Sequence, residues 1–143
     1  MSVSEPSTFG SIYWTIVVRA NTLVKARLLT ERLCDAIGTG CTVYDCTRYE
    51  YNSKFYVLML ESPIGLADTA SAAFHALQVV YRLGNPWTVN GPRQLPRSGD
   101  WLFEGDLVEH RKIHTSGLVG AHFDVRNVRD AIVWRMPNVI ADD

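Results

Sequence analysis

No run of apolar residues in this chain approaches the ~20 that cross a bilayer as a helix; the longest lies within FYVLMLE, residues 55–61. An excess of charge of either sign is also missing. The 143 residues carry a net charge of −1, so no global field draws the chain toward nucleic acid or an anionic membrane. The first residues, MSVSEPSTFGS, have neither the basic start nor the apolar core of a secretory signal. These absences predict a soluble, cytoplasmic protein with no membrane and no nucleic-acid partner.

Cysteine is scarce, three in all, and no CxxC spacing occurs. Cys34 falls on the apolar side of a predicted helix and reads as core. Cys41 and Cys46 lie five apart on a predicted strand, an odd offset that sends them to opposite faces, so neither a disulfide nor a shared metal is expected between them. There is no Walker loop, no GxGxxG and no GxSxG elbow, which argues against a conventional nucleotide site or an α/β-hydrolase nucleophile. No cofactor is expected.

With 47% apolar and 20% charged residues the composition is that of a globular domain. Residues 1–10 read as a flexible lead-in and 11–143 as one α+β domain. IYWTIVVRA (12–20) is β-branched and aromatic, a strand with Ile12, Trp14, Ile16 and Val18 on one face. Asn21 or Thr22 can cap a helix to Ile37 on which Leu23, Ala26, Thr30, Leu33, Cys34 and Ile37 follow the 3.6-residue period; Gly38 and Gly40 end it. CTVYDCTRYEY (41–51) and FYVLMLE (55–61) make a hairpin over Asn52-Ser53-Lys54. Pro63 and Gly65 then introduce a second helix to Leu83, with Leu66, Ala70, Ala73, Phe74, Leu77 and Tyr81 on one side.

That order, β-α-β-β-α, is completed by Leu118 to Val128, where Val119, Ala121, Phe123 and Val125 alternate with Gly120, His122, Asp124 and Arg126. The predicted fold is a ferredoxin-like β-α-β-β-α-β two-layer sandwich with a C-terminal extension. GPRQLPRSG (91–99) reads as a loop, and WLFEGDLVEH as a short strand or helical turn. One asymmetry stands out: the strand at 55–61 is apolar on both faces, so something must cover the face away from the helices. The chain after the second helix, a second copy packed sheet to sheet, or another protein would each serve.

Three of the four histidines fall in EHRKIHTSGLVGAHFD, 109–124. His110 and His114 would converge on an ion only in a helix, and Thr115-Ser116-Gly117 ends any helix there; no metal site is expected. His122, Asp124 and Arg126 share one strand face. They form either an acid–base group with an anion-binding arginine or the water-facing row of an amphipathic strand. Tyr44, Asp45, Arg48, Tyr49, Glu50 and Tyr51 decorate the hairpin, and tyrosine and arginine are the residues that anchor protein interfaces. The leading expectation is therefore a protein-binding protein without catalysis, an inhibitor or toxin-neutralising module of the immunity type that occludes its partner. The alternative is a small dimeric α+β-barrel enzyme or ligand-binding protein using His122 and Asp124 as its acid–base pair.

Overall fold

The computed structural model describes residues 9–38, 40–66, 69–85, 87–94, 96, 101–107, 112–113 and 117–126. Strand β1 spans Phe9–Arg19, helix α1 Leu23–Ile37, β2 Thr42–Arg48, β3 Phe55–Leu66, and helix α2 Thr69–Val80. After them come the two-residue β4 (Gly84–Asn85), β5 (Thr88–Gln94), β6 (Trp101–Leu107), the two-residue β7 (Lys112–Ile113) and β8 (Leu118–Arg126). The class is α+β, with two helices and a six-stranded antiparallel sheet in the order β2-β3-β1-β8-β6-β5; β4 pairs separately with β7.

Both ends of α1 are set by its sequence. The Thr22 hydroxyl accepts the Lys25 N–H at 3.2 Å, and Gly38 closes the helix at φ 77°, its N–H donating to the Cys34 carbonyl. Ala26, Leu29, Thr30, Leu33 and Ile37 are buried, and the mid-helix Thr30 hydroxyl donates back to the Ala26 carbonyl at 2.8 Å. Leu23, expected inside, is exposed in the first turn, and Leu29 takes part in the apolar stripe.

Helix α2 begins later than expected and buries a different side. β3 runs on through Pro63 and Gly65 to Leu66. The buried residues are Ala72, Ala73, Ala76, Val79 and Val80; Leu77 is half-buried, while Phe74 and Tyr81 are exposed. A face built from alanine carries little hydrophobic weight, so the large side chains misplace it. In the same core cluster are Trp14, Trp87 and Phe123, whose rings meet edge-on or tilted with centroids 5.4–6.3 Å apart. The Trp87 indole N–H is shared between the carbonyls of Val80 and Gly84, at 2.9 and 3.0 Å, and ties the core to the helix end. The Trp14 indole N–H donates to the buried Ser62 hydroxyl at 3.0 Å. Both partners are thus satisfied without water.

The sheet has two strands more than predicted, and its order departs from the four-stranded sandwich. The last strand does lie beside β1, Phe123 opposite Trp14. Beyond it, residues 91–94 of the segment read as a loop belong to β5, paired with β6. Every residue of β5 is exposed, so no periodicity marks it. Gly91 and Pro92 fall where the β5–β6 register shifts, between Asn90 and Arg93, which is how an edge strand tolerates them. A second shift, between Val43 and Asp45 in the β2–β3 ladder, overturns the placement of Cys41 and Cys46 on opposite faces: both pack against the helix-side core. One extra residue in the strand restores an odd offset to the same side.

The asymmetry of the third strand is real. Tyr56, Leu58 and Leu60 face the helices, whereas Phe55 and Val57 join Val17 and Val119 in a second buried cluster on the other side. Both described helices lie on the first face, and the second is nonetheless buried within the single chain.

Candidate functional sites

The second face of the sheet divides into an apolar half and a polar half. Val17, Phe55, Val57 and Val119 make the apolar half, near the 49–55 turn. The polar half is built by register. On β6, Glu104 and Asp106 are two residues apart and so project to one face; His122 and Asp124 do the same on β8. The antiparallel β6–β8 ladder sets Glu104 opposite Asp124 and Asp106 opposite His122. The β1–β8 ladder continues the rows with Tyr13 opposite Asp124 and Thr15 opposite His122. Glu61 lies opposite Tyr13 on β3, its carboxylate accepting the hydroxyls of Ser11 and Tyr44.

Three of these polar groups do not face water. Glu104 is 9% exposed, His122 4% and Asp124 3%, which corrects the expectation of a water-facing row. His122 Nδ1 lies 3.0 Å from an oxygen of Asp106. An ionised carboxylate only accepts, so the shared proton sits on Nδ1, and in the neutral imidazole Nε2 then keeps its lone pair. That Nε2 is buried and meets no hydrogen-bond partner among the described residues. Glu104, His122 and Asp124 each offer a ligand-capable atom within 4.8 Å of the others, the one such group of three among the described residues. The arrangement can hold a cation, or position one imidazole nitrogen for proton transfer.

Of the residues singled out in sequence, His122 and Asp124 come together and meet Glu104. Arg126 pairs through its backbone with Leu102, and its side chain lies outside the described residues, as do His110 and His114. The partner that orients His122 is Asp106, not Asp124. Sequence reasoning missed Glu104 and Asp106. Their signal was present in WLFEGDL, where Leu102, Glu104 and Asp106 alternate with Trp101, Phe103, Gly105 and Leu107, but two acids on one side obscured a strand that is buried on both.

The hairpin residues lie at the opposite edge, on β2 and the turn to β3. Tyr51 is 80% exposed and Tyr44 56%, with Val43 exposed beside it. These side chains are nevertheless held. Tyr51 stacks edge-on against Tyr49, and Tyr49 packs on the buried Phe55. The Glu50 carboxylate accepts from the Tyr51 hydroxyl and raises its pKa; Glu61 does the same for Tyr44. Arg48 lies over the Tyr56 ring at 5.3 Å and donates to the Tyr56 hydroxyl and to the carbonyls of Asn21 and Ser53. Asp45 accepts from the Cys46 N–H at 3.0 Å. Between α1 and β2 a cleft of about 470 Å³ is lined by Arg27, Thr30, Glu31, Val43, Tyr44, Asp45 and Cys46.

Cys34 and Cys41 both pack on the helix-side core, where their thiols meet. A hydrogen bond with Cys41 holds the Cys34 thiol below its ordinary pKa, against burial and the nearby Asp35 and Glu31 carboxylates, while the same contact, with burial, pushes Cys41 up. No helix among the described residues is long and apolar enough to cross a membrane. No protein-family model, curated protein or solved structure matches the chain.

Proposed function

We propose that the chain is a protein-binding protein that meets its partner along β2 and the turn after it, as an inhibitor or toxin-neutralising module that covers the partner's working surface. One observation carries this reading: the exposed Tyr44 and Tyr51 are anchored by Glu61, Glu50 and Tyr49, so their ordering costs little on binding. β2 is an edge strand of the sheet among the described residues, and the cleft beside Tyr44 offers a seat for one side chain. In this reading β2-β3-β1-β8 and the two helices are a ferredoxin-like split βαβ unit, widened by the β6–β5 hairpin.

A photo-crosslinking residue at position 51, expressed in cells, tests this against the same residue at position 74 on the exposed side of α2. A partner protein captured in stoichiometric amount from position 51, and lost in a folded Tyr44→Ala/Arg48→Ala variant, is the expected result. Capture of the same protein equally from position 74, or no loss in that variant, would refute the reading.

A second reading has one observation of its own, the buried Nε2 of His122 with Asp106 fixed on the other nitrogen. A small enzyme or ligand-binding protein would use that nitrogen as its acid–base group. An activity abolished by His122→Gln and untouched by the hairpin variant favours this reading over the first. A monomeric mass by light scattering would remove its dimeric-barrel form.

A further inference from the structure

We propose that Glu104, His122 and Asp124 bind one divalent first-row transition-metal ion, zinc or manganese, with Asp106 orienting the imidazole. The site is written in two short patterns, E-x-D on β6 and H-x-D on β8, which the antiparallel register superposes. Neither pattern alone is a ligand set. Together they place two carboxylates and an imidazole on one buried patch.

Geometry supports a single ion. Three donors that all lie within 4.8 Å of one another sit within about 2.8 Å of a common point. Metal–oxygen and metal–nitrogen bonds of about 2.0–2.2 Å therefore require each donor to move by less than about 1 Å. The imidazole is presented as a ligand should be: Nδ1 is held by a carboxylate at 3.0 Å, and Nε2 is buried with no hydrogen-bond partner among the described residues. A carboxylate on the far nitrogen of a metal-bound histidine fixes its tautomer and raises its basicity.

The electrostatics point the same way. Two ionised carboxylates and a neutral imidazole balance the charge of a dication. A nitrogen donor among two carboxylates disfavours magnesium and calcium, which prefer all-oxygen shells, and suits zinc or manganese. Three protein ligands leave a position open for water or a substrate atom. The proposal does not rest on the hairpin reading, since the site lies on the other side of the sheet from the β2 edge.

Chelator-treated full-length protein titrated calorimetrically with ZnCl2 and MnCl2 tests the site, with MgCl2 and CaCl2 as comparators. The expected result is one ion per chain for zinc or manganese, weakened at least tenfold by each of Glu104→Gln, Asp124→Asn and His122→Gln. Asp106→Asn should keep the stoichiometry and lose about 10–100-fold in affinity. Pulsed EPR of the manganese-loaded wild type should show coupling to a single imidazole, a readout that stands even if a variant fails to fold. Absence of saturable binding overturns the proposal, as does binding by calcium or magnesium alone. So does coupling to two imidazoles, or zinc binding that survives His122→Gln and disappears in His110→Ala/His114→Ala, since either assigns the ion to the 109–114 stretch.

Discussion

His122 and Asp106 face each other across the β8–β6 ladder, Nδ1 to carboxylate oxygen 3.0 Å, although sixteen residues separate them in sequence. The contact ties the acidic strand that the sequence hid to the histidine strand that it displayed. It also assigns the imidazole proton, which leaves Nε2 as the nitrogen available for chemistry.

That assignment is open to measurement. In metal-free protein with the imidazole neutral, the nitrogen NMR shifts of His122 should report protonation at Nδ1 and a bare Nε2. Asp106→Asn presents an amide that can donate or accept, and should shift the tautomer mixture toward Nε2–H. A wild-type His122 protonated on Nε2 would contradict the Asp106 contact.

Packing of β8 on β6 makes a second prediction. A Cβ added to Gly105 would lie 2.6 Å from Phe123 Cε1 and 3.0 Å from the Thr88 carbonyl. Gly105→Ala should therefore cost about 1–3 kcal/mol by overpacking, and Phe123→Ala about 3–5 kcal/mol through the cavity it leaves. Because the first clash is with the ring itself, the double variant should lose less than the sum of the two. Additive losses in chemical denaturation would show that the ring and Gly105 do not meet.

The paired thiols give a third. The Cys34 thiolate is stabilised by its hydrogen bond with Cys41, so Cys34 ionises below an ordinary cysteine and Cys41 above it. Near pH 8 a larger thiolate fraction at Cys34 should make it the first of the two to be alkylated by iodoacetamide. Cys41→Ala removes the donor, moves the Cys34 pKa back up and should slow its alkylation at that pH. Mass mapping of partly alkylated protein decides the order; faster modification of Cys41 would reverse the assignment.

Whatever depends on neighbours along the chain is legible in the residues themselves. Alternation fixes β1 and β8, Thr22 and Gly38 fix α1, and apolar residues at every position from 55 to 60 announce a strand covered on both sides. Register and burial depend instead on which distant segments pair and pack. An exposed edge strand such as β5 has no periodic pattern, and an alanine face such as that of α2 carries too little apolar area to outweigh Phe74 and Tyr81. A bulge at Tyr44 reverses the side on which Cys46 falls, an outcome set by pairing with β3. Above all, a polar row reads the same whether water or protein covers it. In sequence His122 and Asp124 fit a wet strand face as well as an acid–base pair; the β6–β8 register places Glu104 and Asp106 beside them, because cross-strand proximity follows from the long-range pairing of strands and not from spacing within either one.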